Sequence, residues 1–271
     1  MKPRPVTLQT PDDYFTLLDR SSNEHWWGRG IERLERRWAK RGIRRLPAEK
    51  RNKLRWLDAG CGSGARLLQW SDWGCWAGLV GIDPEISSEK FISGLHNQQI
   101  ALRPGHLPEM QLNDERFDFI TVLDVIQHVS FENRERAIQE LADSLMPGGL
   151  LLIRTNAAGV SGKRSNDNSI VSCQFLDNNL RQNGLKIINR SHFNLTGSLV
   201  EDIQRYFTNK RPKDDRPLKH GLPADWQKRP RGSLPGWIVG WAESQIAATG
   251  LVKLPFGHSY IILAQKELPH G

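Results

Sequence analysis

The stretch LRWLDAGCGSGARLLQW, Leu54–Trp70, decides how the rest of the chain is read. A compact apolar run ends on Asp58, glycines follow at Gly60, Gly62 and Gly64, and the apolar period becomes helical at Leu67, Leu68 and Trp70. That is strand, glycine turn, helix. Glycine lets backbone approach a bound molecule, and a new helix directs N–H groups and a partial positive end toward it, so the stretch predicts a small-molecule cofactor site. Spacing alone leaves the cofactor open. Gly60, Gly62 and Ala65 satisfy a G-x-G-x-x-G/A dinucleotide fingerprint, with Asp83 at the end of the next strand where a ribose-binding acid belongs. A tight turn that binds nothing is the plain structural alternative.

The chain has 271 residues, enough for one large domain or one domain with an insertion. No run approaches the roughly 18 apolar residues of a membrane span, and MKPRPVTLQT has no apolar signal core, so a cytoplasmic location is expected. Cys61, Cys75 and Cys173 lack metal-ligand spacing and cannot all pair, which fits a reduced compartment and no metal site. The net charge of +8 is uneven. Arg29 to Arg55 carries twelve Lys or Arg against three Glu, and Gln204 to Gly232 carries nine against three Asp, so two basic segments flank a mildly acidic body. They suit an anionic substrate or nucleic acid, though solvated faces have the same composition.

Residues 1–50 read as an irregular arm with Pro3, Pro5 and Pro11, then an amphipathic helix in EHWWGRGIERLERRWAKR. Trp27, Ile31, Leu34 and Trp38 recur at helical spacing, with a start or interruption near Gly28 and Gly30. This helix either packs its tryptophans on the core or covers the cofactor or substrate with His25, Trp26 and Arg29. Beyond the glycine turn, Gly78 to Asp83 is a second buried strand closed by Pro84, a helix is expected from about Glu85 to Leu95, and Gln99 to Arg103 is a weak strand. Phe117 to Leu123 is β-branched enough for the sheet centre. Ser130 then caps a helix whose stripe is Ile138, Leu141, Ala142 and Leu145, stopped by Met146-Pro147-Gly148-Gly149, before the strand LLLIRT. After a Gly/Ser/Asn-rich loop and a helix to about Asn183, GLKIINRSHF is a sixth strand and SYIILAQK, Ser259 to Lys266, a seventh. The pattern predicts an α/β, Rossmann-like, seven-stranded, mostly parallel sheet with helices on both faces. Core residues are 51–195 and 257–268. Residues 196–256 form a helical insertion before the last strand, with a helix bearing Ile238, Trp241, Ala242 and Ile246.

LDAGCGSG, GID ending at Asp83, FDFITVLDVIQHV and MPGGLLLI, in that order and spacing, resemble the class I S-adenosylmethionine-dependent methyltransferases (type 11/12-like domain) across residues 54 to 155. The resemblance implies S-adenosylmethionine as cofactor and a last strand lying antiparallel between its neighbours. It implies that Gly60, Cys61, Gly62 and Gly64 hold the methionine end, with Asp58 facing the ammonium. A dinucleotide site places an apolar residue there, because pyrophosphate would be repelled. Asp83 would accept both ribose hydroxyls beside Pro84. His106 and Leu107 match the adenine position, where the family more often has an acid than His106. Asp124 and Val125 would approach the sulfonium and methyl group.

Methyl transfer from a sulfonium needs alignment and exclusion of water more than a base. His128, after the fourth strand, is the candidate base, or else braces that turn; His25 and His192 are weaker, and Tyr206 and Tyr260 read as packing. The expected acceptor is an oxygen, less often a nitrogen, of a small molecule, glycan or lipid precursor, possibly anionic. Trp26, Trp27, Arg29 and the insertion would build its pocket. Competing readings are an RNA methyltransferase using the basic segments, an NAD(P)-dependent oxidoreductase, and a cofactor-binding protein without turnover. The Asp-Val-Ile-Gln after the fourth strand is unlike the Asn-Pro-Pro-Tyr of base methylation.

Overall fold

Runs of branched and aromatic residues that are apolar on both sides must be covered on both sides, and a sheet between two helical layers does that. The computed structural model describes residues 26–73, 75–94, 99–157, 170–195, 234–249 and 253–268. Its strands are β1 (Leu54–Ala59), β2 (Trp76–Asp83), β3 (Lys90–Ser93), β4 (Gln99–Pro104), β5 (Phe117–Leu123), β6 (Leu145–Asn156), β7 (Leu185–Phe193) and β8 (Ser259–Lys266). They form one sheet in the order β3-β4-β2-β1-β5-β6-β8-β7. The pairings from β4 through β6 are parallel, and β8 runs antiparallel between β6 and β7, as the resemblance implies.

The helices are α1 (Trp26–Ile43), α2 (Ala65–Trp70), α3 (Arg134–Asp143), α4 (Cys173–Gln182) and α5 (Leu234–Thr249). One face of the sheet is covered by α3 and α4 through Ile138, Leu141, Leu176 and Leu180. The other is covered by α1, α2 and α5 through Ile31, Leu34, Trp38, Leu67, Trp70 and Ala247. Beneath α1 and α2 lies an aromatic slab in which Trp56 has Trp76 at 4.9 Å, Trp70 at 5.5 Å and Phe119 at 5.8 Å between ring centroids. The fully buried Trp38 donates its indole N–H to the Ala247 carbonyl at 3.2 Å, tying α1 to α5. Helices α1 and α5 are therefore packed together.

Several details differ from the sequence reading. The sheet has eight strands rather than seven, because residues Lys90–Ser93, expected within a helix, pair antiparallel with β4 and satisfy its outer edge. Ser130 precedes a short 3-10 turn, Phe131–Asn133, makes no side-chain cap bond, and is separated from α3 by that turn. Leu145 opens β6 instead of extending the α3 stripe, and β6 runs through Met146-Pro147-Gly148-Gly149. Gly28 and Gly30 do not interrupt α1. The N-terminal arm with His25, the loop over 158–169 and residues 196–233 of the insertion with Tyr206 lie outside the described residues. Trp38→Ala is expected to cost about 3–5 kcal/mol, the range for emptying a large buried site, read as a lowered midpoint in urea unfolding followed by far-UV circular dichroism.

Candidate active site

β1 ends in mid-sheet, where Asp58 stands level with Gly81 of β2 and Thr121 of β5. The chain then reverses through a bend that only glycine permits at its first position. Gly60 has φ of +81°, and a Cβ there would lie 2.2 Å from Val125 Cγ2. Beneath the bend a Cβ on Gly81 would lie 2.6 Å from Cys61 Sγ, so the small residue in β2 is what lets the turn settle. The Gly60 and Cys61 N–H groups donate to the Ile82 carbonyl at 2.7 and 3.0 Å, and Gly64 N–H donates to the Cys61 carbonyl at 2.9 Å. The Ala65 N–H donates to Ser63 Oγ at 3.3 Å. The sequence pattern expects open N–H groups where the helix begins; of the amides leading into it, those of Gly60, Cys61, Gly64 and Ala65 are bonded within the chain.

Three carboxylates meet at the ends of β1, β2 and β5. Asp58 is 3% exposed and accepts a 2.5 Å hydrogen bond from Thr121 Oγ1, which itself accepts from Trp56 Nε1 at 2.8 Å. Burial pushes the Asp58 carboxyl up to about 6, against the Thr121 bond and the Arg66 charge, which favour ionisation. Asp83 accepts from Gly62 N–H at 2.9 Å on Oδ2 and from Glu85 N–H at 3.0 Å on Oδ1. Burial raises its pKa and the two amides oppose that rise. Each Asp83 oxygen has a further lone pair, so the side chain is fixed at its base and can still accept two hydroxyls. Asp124, at φ +61°, takes Arg154 Nη2 at 2.6 Å.

That arginine belongs to a buried chain of charge which the sequence reading did not single out. Arg154 bridges Asp124 and Glu35 of α1. Glu35 is fully buried, and its other oxygen faces Arg66 Nη2 of α2 at 3.2 Å. Burial works against the Arg154 charge, yet Asp124 and Glu35 hold the guanidinium protonated above its usual value. Burial pushes Glu35 up, with Arg154 and Arg66 opposing. The signals were present: Glu35 is one turn after Ile31 and next to Leu34, on the apolar stripe of α1, and Arg154 interrupts LLLIRT.

The remaining candidates are placed as follows. Leu107 is buried, while His106 and Pro84 are exposed. His128 is exposed on a 3-10 turn, Ile126–His128, whose backbone closes through a 2.8 Å bond from its N–H to the Val125 carbonyl. Arg29 is exposed on α1; the Trp26 and Trp27 side chains lie outside the described residues. His192 is brought instead to the far edge of the sheet, where its Nδ1 lies 3.0 Å from the Leu254 carbonyl and burial lowers its pKa. With Cys173, Arg190 and Tyr260 it lines an open cavity of about 510 Å³ that includes none of the residues at the glycine bend. Tyr260 does more than pack, since its hydroxyl donates to Asp177 at 2.9 Å.

A family model described as a methyltransferase domain matches residues 31–196. A curated malonyl-[acyl-carrier protein] O-methyltransferase from Enterobacter lignolyticus is 32% identical over 127 residues, 46% of this chain and 47% of that protein. The chain thus spans about half the length of the curated relative it matches. A solved structure from Galdieria sulphuraria, provisionally described as a sarcosine dimethylglycine methyltransferase, superposes with a TM-score of 0.52 at 15% identity, over 88% of this chain and 86% of that one. At that identity the likeness concerns the fold.

Arg154→Met is expected to destabilise the protein by about 3–5 kcal/mol, because Glu35 and Asp124 lose their shared counter-charge. Adding Glu35→Met should recover part of that loss in a double-mutant cycle of urea unfolding. Additive losses would mean that the two side chains are not coupled.

Proposed function

The chain belongs to the methyltransferase-domain family, and from that premise we propose that it transfers a methyl group from S-adenosylmethionine to an oxygen, less readily a nitrogen, of a small-molecule, glycan or lipid-precursor acceptor. The observation that carries this reading is the buried Asp58 carboxylate beside a bend whose Gly60, Cys61, Gly62 and Gly64 amides are bonded within the chain. Such a place repels an incoming diphosphate and attracts an ammonium. When bound, S-adenosylmethionine supplies a methyl group already activated on a positively charged sulfur.

The chain's own residues then have these roles. Asp58 faces the ammonium of the methionine end, held by Thr121, while Gly60, Cys61, Gly62 and Gly64 form the bend against which that end lies. Asp83, anchored by the Gly62 and Glu85 amides and flanked by Pro84, accepts the ribose hydroxyls. His106 and the buried Leu107 border the adenine. Val125 packs against Gly60, and Asp124, braced by Arg154, stands at the reacting end. His128, exposed one turn beyond, is the candidate to take the acceptor's proton. Alignment and exclusion of water supply most of the rate, so its loss should lower turnover far less than loss of Asp83 lowers binding. The acceptor pocket is assigned to residues 1–50 and 196–256, whose described helices, α1 and α5, pack together over this side of the sheet. Preference for oxygen draws support from the curated relative, an O-methyltransferase by name.

Asp83→Ala should weaken S-adenosylhomocysteine binding by about a hundredfold in calorimetry, since two charge-assisted hydrogen bonds are lost. NADH should not bind. Asp58 is charged above about 6 and neutral below, so ligand affinity should fall as pH is lowered through that value. In Asp58→Asn the affinity should be weak and flat across that range; an unchanged profile would remove Asp58 from the site. Incubating the protein with labelled methyl donor and a metabolite and lipid extract should place label in an alkali-labile ester or an ether. Label recovered in RNA supplied in a parallel incubation, with none in the extract, would overturn the acceptor class.

A further inference from the structure

Among its described side chains, helix α5 shows large apolar groups to water. Its inward residues include Glu243 and Ser244, which are 6% and 0% exposed, whereas Ile238, Trp241 and Ile246 are 58%, 55% and 43% exposed. An aliphatic and indole strip facing water, on a helix whose one acid is turned inward, is an apolar patch that marks an interaction surface. Beside it runs a row of exposed arginines, Arg37 and Arg41 of α1 and Arg44 in the turn just past its end, spaced so as to share one ridge, the Arg44 N–H still bonding the Lys40 carbonyl. Arg37 bonds to Gln245 Oε1, and Arg41, one turn on, donates to the Thr249 carbonyl at 2.8 Å, so the two helices run parallel with ridge and strip adjoining. Glu243 is the only acidic residue in α5, so the strip itself carries no exposed carboxylate.

We propose that this α1–α5 face docks on the surface of an anionic lipid bilayer. Arginines at headgroup level and Trp or Ile side chains at the acyl boundary are the combination that holds a helix in the plane of a membrane. An RNA would engage the arginines and leave Ile238 and Ile246 against water. A second copy of this chain would bring arginine rows of the same sign into one interface. Among the described residues no helix is long and apolar enough to cross a membrane, so α5 lies on the bilayer rather than through it. The inference goes beyond the proposed methyl transfer and does not rest on it.

The test is co-sedimentation of the full chain with vesicles of phosphatidylcholine alone or mixed with phosphatidylglycerol. Binding to the anionic vesicles, weakened by added salt, is expected. The double variant Trp241→Gln with Ile246→Gln, and separately Arg44→Glu, should each weaken it about tenfold while leaving the thermal melt by circular dichroism unchanged. The proposal is overturned by equal binding to both vesicle types, by variants that bind as the parent does, or by a parent dimer that the same substitutions dissociate without altering sedimentation.

Discussion

A carboxylate shut away from water fixes the geometry of this molecule. Glu35 is fully buried on α1, and it is tolerable there only because Arg154 of β6 and Arg66 of α2 converge on it. An ion of that size loses most of its hydration on burial, so its partners must be in place for the helix to seat at all. The dependence runs outward in two directions. Through Arg154 it reaches Asp124 and sets the end of β5; through Arg66 it reaches α2 and lends positive potential to Asp58. The N-terminal helix is therefore bound into the same electrostatic unit as the glycine bend, and the aromatic slab around Trp56 supplies the apolar floor on which that unit rests.

Much of this was readable from residues alone because the signals were local. Phe117–Leu123 and Ser259–Lys266 fall where apolar, β-branched runs place them, and the bend at Gly60 is demanded by backbone that no larger residue could adopt so close to Val125. What escaped was set at a distance. Whether Lys90–Ser93 coils or extends depends on the open edge of β4, which the segment's own composition does not reveal. Glu35 and Arg154 are 119 positions apart and acquire meaning only as a pair. His192, a lesser candidate for the base, lies at the edge of the sheet because β7 is the outermost strand.

The charge distribution is the complement of the overall basicity. A chain of net charge +8 gathers Asp58, Asp83, Asp124 and Glu35 around one spot, answered there by Arg66 and Arg154. A gathering of acids within a basic chain favours cationic ligands by field. Under the proposed chemistry the reaction removes the positive charge at sulfur, so these carboxylates would hold the donor more firmly than the spent product, which favours turnover.

The placement of β8 carries a consequence for how the molecule can be assembled. β7 touches the sheet solely through β8, and β8 fills the gap beside β6. During synthesis the ribosome delivers β7 more than sixty residues before its partner, so β7 must wait, and the open flank of β6 with it, until Ser259–Lys266 emerges. The bend and its carboxylates, built from β1, β2 and β5, are complete in sequence long before that moment. A nascent or truncated chain lacking its final strand would thus contain the whole carboxylate group while exposing a raw sheet margin, the state in which chaperones and proteases find a substrate.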